Sequence, residues 1–145
     1  MKTPVLFSFS IFPLLAFATG DAASGPHASP PAPETFVYRW AGQDMTMQQY
    51  FIVFLKSGPA RSSTKAETAE LQKQHLAYLG GLYEKGIIQL NGPTNGEDEF
   101  RGFSVYAVAT REEAARLAGE DPMVKAGRLM IEVRPWWLAK GSGVK

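Results

Sequence analysis

The sequence lacks cysteine altogether and contains only two histidines, His27 and His75, among its 145 residues. Without cysteine the chain forms no disulfides, performs no thiolate catalysis and builds no cysteine-based zinc site. A zinc site built on two histidines would also need aspartate or glutamate ligands, and no suitably spaced cluster of these residues is present. The sequence therefore predicts no bound metal, and no motif in it indicates an organic cofactor.

Net charge is also nearly absent, because 15 lysines and arginines stand against 14 aspartates and glutamates, which leaves +1. Such a balance provides no electrostatic attraction to nucleic acid or to an anionic membrane. The hydrophobic content of 45% and the charged content of 20% are typical of a globular protein. We therefore expect one small globular domain that binds no nucleic acid.

Long apolar runs are missing except near the beginning of the chain. Lys2 is followed by an apolar run over residues 5–18, which is too short to span a membrane comfortably as a helix. Ala16-Phe17-Ala18 matches the small-x-small rule for signal peptidase, and Gly20-Asp21-Ala22 is a second candidate. We therefore interpret residues 1–22 as a signal peptide. This predicts a periplasmic or secreted protein that keeps no stable membrane anchor after cleavage.

Two alternatives to a cleaved signal stay open, namely a retained membrane anchor and a true start at Met45 or Met47. We interpret residues 23–47 as a linker rich in proline and alanine, followed by an N-terminal arm. The prolines and the scarcity of bulky residues predict a linker, because such a segment cannot bury enough apolar surface to order itself. The aromatic residues at 35–40 either add an edge strand or pack as an arm on the domain.

Residues 64–86 form the most informative stretch of the sequence. Thr64 and Glu67 fit a capping box, and Gly86 suits the left-handed residue just past a helix end. Four side chains between them recur at helical spacing and share one face: Leu71, His75, Tyr78 and Leu82. The sequence thus predicts a long amphipathic helix with His75 in the middle of its apolar face. A titratable side chain in that position needs a polar partner.

The remaining hydrophobic patterns predict four strands and a second, shorter helix. A strand at residues 48–55 is apolar on both faces, which is typical of a central strand that is covered on both sides. The other predicted strands lie at 87–90, 101–109 and 129–134, and the first of these ends at Asn91-Gly92-Pro93. A helix is predicted from Thr110 to about residue 118, before the turn that begins at Asp121.

This order of elements is the βαββαβ pattern of a ferredoxin-like α+β fold. Two helices cover only one face of such a sheet, yet the first strand is apolar on both faces. A second copy of the chain is the simplest cover for the free face. The sequence therefore predicts a homodimer in which two sheets face each other, a dimeric α+β barrel.

His75 and Asp121 are the candidate catalytic residues. In this topology the turn at Asp121 lies near the end of the sheet that the first helix also reaches. A carboxylate bound to one imidazole nitrogen fixes the tautomer and makes the other nitrogen a better base, so the pair would form a general base with its orienting partner. Alternatively, Asp121 only caps a helix and His75 is a paired core residue, and spacing alone favours this second interpretation.

A series of short motifs resembles the YCII-related (YciI-like) family over residues 48–137, and the tail at 138–145 is expected to be flexible. The motifs are His75-Leu76 with Leu79, Lys85-Gly86, Asn91-Gly92-Pro93, Arg101-Gly102, Glu112-Glu113-Ala114, Asp121-Pro122, Lys125-Ala126-Gly127 and Pro135-Trp136. The resemblance implies a ferredoxin-like dimeric α+β barrel. It also implies that the family's proposed His–Asp active site falls on His75 and Asp121.

The family that the motifs resemble includes a dehydrochlorinase that acts on a chlorinated hydroxyquinol. The resemblance thus favours a small-molecule enzyme that performs acid–base chemistry on a cyclic or phenolic-type substrate, as a lyase, dehydrochlorinase or isomerase would. Arg101 would bind an anionic ligand at the pocket mouth, or it is only a solvated charge. Gly92 and Pro93 would line the pocket, or they only end a strand. A non-catalytic dimeric module that binds a ligand or partner through the same pocket is the alternative function.

RNA binding is a third interpretation, because Arg101-Gly102-Phe103 begins like an RNA-recognition signature on the expected third strand. Three observations argue against it. The second stacking position is Val105 rather than an aromatic residue, the net charge is close to zero, and the chain is expected to be exported.

Overall fold

A computed structural model describes residues 31–60, 64–96 and 98–143 of the chain. The predicted signal peptide at residues 1–22, the first part of the predicted linker and His27 lie outside the described residues. The elements in chain order are β1 (Thr35–Trp40), β2 (Gln43–Ser57), α1 (Lys65–Glu84), β3 (Ile88–Pro93), β4 (Phe100–Tyr106), α2 (Arg111–Gly119), α3 (Pro122–Lys125) and β5 (Leu129–Ala139). Within this part of the chain, no helix is long and apolar enough to cross a membrane.

The sheet is antiparallel and centred on β2, as the apolar pattern on both faces of that strand predicts. Pairing places the four core strands in the order β5-β2-β4-β3. This order and the alternation with helices confirm the predicted ferredoxin-like α+β fold. The structure describes a single chain, so the homodimer stays a prediction.

Helix α1 begins and ends where the sequence signals place its termini. The Thr64 hydroxyl accepts a hydrogen bond from the Glu67 N–H at 3.2 Å, and the Glu67 carboxylate accepts one from the Thr64 N–H at 2.8 Å. Gly86 adopts a positive φ of 69° just past the helix. The face that α1 buries contains His75, Leu79 and Leu82.

The hydrophobic core lies between one face of the sheet and the helices. Alternate residues of β2 supply its centre, since Phe51 and Val53 pack in one cluster with Leu79 and Leu82 of α1. The helices lie on this face alone. The opposite face, which we call the open face, carries Tyr50, Ile52 and Phe54 from β2, Phe103 and Val105 from β4, and Met130 from β5.

The prediction that the second strand stops at Asn91 is wrong, because β3 continues through Pro93. Gly92 pairs with Phe103, and Pro93 pairs with Gly102 on β4. A proline lacks the N–H that a central strand needs, but β3 lies at the edge of the sheet, where one side of the strand needs no partner. The paired backbone therefore extends to the region that lines the candidate site.

Strands β2 and β5 are longer than the predicted segments. The aromatic residues at 35–40 form the edge strand β1, one of the two alternatives that the sequence left open, and pair with the first part of β2. The two-residue turn between them uses positive φ at Ala41 (48°) and Gly42 (81°), which suits a tight hairpin. Beyond Pro135, β5 continues to pair with the extended β2, and Phe36 meets Trp137 edge to face at 4.8 Å.

Candidate functional site

The imidazole of His75 and the carboxylate of Asp121 form a buried hydrogen bond, with 2.6 Å between Nδ1 and Oδ2. His75 lies in the middle of α1, whereas Asp121 immediately precedes α3, 46 residues further along the chain. An ionised carboxylate only accepts hydrogen bonds, so Nδ1 donates in this contact and Nε2 takes no part in it. His75 is 7% exposed and Asp121 is 2% exposed. The predicted contact is therefore present, while its catalytic role stays a prediction.

Asp121 is held in place by the start of α3. Its Oδ1 accepts a hydrogen bond from the Met123 N–H at 2.8 Å, which caps the helix, and Pro122 occupies the first helical position. One carboxylate oxygen therefore caps α3 while the other binds the imidazole. The capping and the orienting interpretations of Asp121 are thus compatible with each other.

A cavity of about 440 Å³ adjoins the pair, between α1 and the edge of the sheet. Its walls come from α1, β2, β3, β4 and the segment from α3 to β5: Leu55, Thr68, Gln72, His75, Leu76, Leu79, Asn91, Gly92, Pro93, Arg101, Gly102, Phe103, Ser104, Met123, Arg128 and Leu129. His75 belongs to this lining, whereas Asp121 lies behind it. The His75 side chain therefore adjoins the cavity while its Nδ1 contacts Asp121.

The three predicted substrate-binding residues all line this cavity. Gly92 and Pro93 form one wall from β3, and Arg101 contributes from β4. The Arg101 Nε–H donates a hydrogen bond to the Ser57 hydroxyl at 2.7 Å, and its side chain is exposed. Four of the five predicted site residues thus line one cavity, and the fifth, Asp121, contacts it through His75. Their binding and catalytic roles stay predictions.

Gly102 makes the close approach of β3 and β4 at this wall feasible. A Cβ atom on Gly102 would lie 2.5 Å from the carbonyl oxygen of Gly92, which is closer than real contacts allow. The glycine therefore keeps the two strands paired beside the cavity.

Two phenols lie close to the His75–Asp121 pair. Burial, with smaller contributions from the charges of Glu120 and Asp121, raises the pKa of Tyr78, whose hydroxyl donates to the Leu117 carbonyl at 2.7 Å. Burial also raises the pKa of Tyr106, which is 1% exposed. Both phenols therefore stay protonated at neutral pH.

The sequence interpretation missed Arg128, which lines the cavity between α3 and β5. Its Nε and Nη1 atoms are buried and have no hydrogen-bond partner among the residues that the structure describes. The available signal was a charged residue placed directly between the turn at Gly127 and the buried Leu129. The sequence interpretation began the last strand at residue 129 and assigned no role to residue 128.

Potential metal ligands are dispersed over the domain. In residues 31–60, 64–96 and 98–143, no three His, Asp or Glu side chains lie together as a metal-binding group.

Comparison with known protein families then identifies the relatives of this chain. The model of the YCII-related domain matches residues 50–137, which is more than half of the chain. This chain belongs to the YCII-related family. The YCII-related domain therefore contains His75, Asp121 and every residue of the cavity lining.

Among curated proteins, no match to this YCII-related chain is found. Among solved structures, one similar protein is a 5-chloro-2-hydroxyhydroquinone dehydrochlorinase from Burkholderia phenoliruptrix, in complex with 2,5-dihydroxybenzoquinone. It is 27% identical with a TM-score of 0.47, and the match covers 60% of this chain and 92% of that chain.

Proposed function

We propose that this YCII-related protein is an enzyme that uses His75 for acid–base chemistry on a small cyclic or phenolic-type substrate. The observation that carries the proposal is the buried 2.6 Å contact between His75 and Asp121, with the imidazole in the wall of a cavity. Ligand pockets of roughly 300–1,000 Å³ are usual for small molecules. The cavity of about 440 Å³ is therefore large enough for a single substituted ring.

In the proposed reaction, Nε2 of His75 removes a proton from the substrate. The imidazole then carries a positive charge, which the Asp121 carboxylate stabilises at 2.6 Å from Nδ1 without taking the proton itself. In an elimination, the electron pair of the broken bond to hydrogen forms a new double bond while a leaving group such as chloride departs. In an isomerisation, the protonated imidazole returns the proton to another atom of the substrate. A well-placed general base accelerates such steps by about 10²–10⁴.

A turnover screen tests this function. The purified protein is incubated with substituted phenols, hydroquinones and their halogenated forms, and turnover is followed by ultraviolet absorbance and by release of halide. The His75→Gln variant should reduce turnover by about 10²–10⁴. Gln74→Ala is the matched control, because Gln74 lies next to His75 on the exposed side of α1. Its side-chain amide donates a hydrogen bond to the Glu70 carboxylate at 3.1 Å. Equal turnover by His75→Gln and the wild type would refute the proposal.

A non-catalytic binding module is the second candidate function. It is favoured by the second hydrogen bond of Asp121, since the 2.8 Å contact with the Met123 N–H gives the carboxylate a purely structural use. A ligand that binds the cavity with equal affinity in wild type and His75→Ala, in a screen that never shows turnover, would support this alternative.

We also propose that the protein is exported and works as a homodimer. The apolar residues of the open face, among them Ile52, Phe54 and Phe103, would pack against the same face of a second copy. Light scattering on the purified protein tests the dimer. Fractionation of cells that produce the full-length chain tests the export, with residues 1–22 removed from the mature protein.

A further inference from the structure

We propose that Arg128 makes the cavity a site for an anionic ligand, a ring that carries a carboxylate or an ionised hydroxyl bound by the Arg128 guanidinium. The proposal rests on the proposed function in one respect, namely that the cavity beside His75 is where the ligand binds. It adds the charge of the ligand and the side chain that recognises this charge.

The backbone of Arg128 is fixed on both sides. Its N–H donates a hydrogen bond to the Met123 carbonyl at 3.0 Å, and its own carbonyl accepts one from the Gly58 N–H at 2.8 Å. The preceding Gly127 has a positive φ of 67°, which turns the chain from α3 into β5. The point from which the Arg128 side chain leaves the backbone is therefore defined by packing against two neighbouring segments.

The guanidinium of Arg128, a residue of the cavity wall, has donors without a partner. Both Nε and Nη1 are buried, and neither has a hydrogen-bond partner among the described residues. A guanidinium keeps its charge at physiological pH and has only donors, so it needs acceptors from elsewhere. Leaving buried charged donors unpaired costs free energy, whereas an acceptor with a negative charge forms the strong, charge-assisted type of hydrogen bond.

No described residue of the cavity wall supplies that acceptor as a negative charge. The wall contains two arginines, Arg101 and Arg128, and no aspartate or glutamate. The nearby Asp121 lies behind His75, and both of its oxygens already accept hydrogen bonds. The described part of the cavity wall is therefore positively charged, and an anionic ligand restores the balance.

The two arginines differ in exposure and in hydrogen bonding. Arg101 is exposed, and its Nε–H donates to the Ser57 hydroxyl at 2.7 Å, so it contributes charge from the exposed part of the wall. Arg128 belongs to the same cavity wall as His75, and its buried Nε and Nη1 atoms have no hydrogen-bond partner among the described residues. A ligand in this cavity therefore lies between walls that contain both the Arg128 side chain and the His75 imidazole.

Two matched pairs of probes test the charge requirement by isothermal titration calorimetry. Benzoate is compared with the neutral benzamide, and para-nitrophenolate is compared with nitrobenzene. We expect the wild type to bind at least one of the anions and to bind its neutral partner at least about tenfold more weakly, as loss of one charged hydrogen bond implies. Benzoate alone would identify a carboxylate ligand, and para-nitrophenolate alone would identify an ionised hydroxyl.

Arg128→Met should weaken binding of that anion by about ten- to a hundredfold, because it keeps the length of the side chain but removes the charge. Arg128→Lys, which keeps the charge, should recover part of this loss. Arg134→Gln is the control, since Arg134 is exposed and pairs with Glu132 outside the cavity wall. Thermal denaturation checks folding, and the anion should raise the melting temperature of the wild type but not of Arg128→Met.

The proposal is wrong if the wild type binds neither anion, or if Arg128→Met binds it as tightly as the wild type does. The His75→Gln variant separates the two proposals. If His75→Gln still binds the anion but no substrate is ever turned over, the anion site stands and the proposed catalysis fails. If turnover is found on neutral rings and is unaffected by Arg128→Met, the catalysis stands and the anion site fails.

Discussion

Two replacements of Asp121 weaken its two hydrogen bonds to different extents. In Asp121→Ala, α3 loses its cap, which costs about 1 kcal/mol of the free energy of unfolding. The buried imidazole of His75 also loses its partner, which costs about 1–3 kcal/mol. Asp121→Asn keeps an oxygen for the Met123 N–H and a polar group beside His75, and loses mainly the charge assistance, about 1 kcal/mol.

These losses convert into melting temperatures that circular dichroism can resolve. For a domain of this size, 1 kcal/mol shifts the melting temperature by about 4–8 °C. Asp121→Ala, with a total loss of about 2–4 kcal/mol, should therefore melt about 8–32 °C below the wild type, and Asp121→Asn about 4–8 °C below it.

Asp98→Ala is the matched control for this experiment. The Asp98 carboxylate also accepts a backbone hydrogen bond, from the Phe100 N–H at 3.0 Å, but it is exposed and should lose no more than about 1 kcal/mol. Equal melting temperatures for Asp121→Ala and Asp98→Ala would refute the reasoning, because the buried contact with His75 would then contribute nothing.

Three further predictions concern the start of α1, the pairing of β3 with β4, and the open face. Hydrogen bonds from the Thr64 backbone and hydroxyl lower the pKa of Glu67 from its ordinary value of 4.5. The capping contribution of Glu67 is therefore present above that pH and is lost as pH falls through the lowered pKa, so Glu67→Gln should flatten this part of a curve of unfolding free energy against pH. Gly102→Ala should destabilise the domain by about 1–3 kcal/mol in chemical denaturation because its Cβ meets the β3 backbone, whereas Gly80→Ala, which has open space in α1, should stabilise it by about 0.5–1 kcal/mol. Phe54→Arg on the open face should give a monomer by light scattering if two copies pack there; an unchanged dimer would place the interface elsewhere.

Much of the fold was predictable because local signals and the global pattern agree. Thr64, Glu67 and Gly86 mark the ends of α1, and the apolar pattern on both faces of residues 48–55 identifies the central strand. The contact between His75 and Asp121 was predictable for a related reason. An imidazole on the buried face of a helix needs a partner, and the βαββαβ order brings one acid close to it.

The strand ends and the second arginine were not predictable in the same way. Pro93 is a turn signal in isolation, and only its place on an edge strand allows it to continue β3. Arg128 has no partner within a few residues of sequence that would mark its role. Its backbone is placed by a close approach of Gly58, where a Cβ on Gly58 would lie 2.2 Å from the Gly127 oxygen.

The most direct test of the central claim is the tautomer of His75, measured by nitrogen-15 NMR on the wild type at neutral pH. A carboxylate 2.6 Å from Nδ1 requires the proton on that nitrogen. We therefore expect Nδ1 to be protonated and Nε2 to carry the free lone pair, and we expect Asp121→Ala to abolish this preference. A proton on Nε2 instead, or a tautomer unaffected by Asp121→Ala, would contradict the assignment of His75 as a base oriented by Asp121.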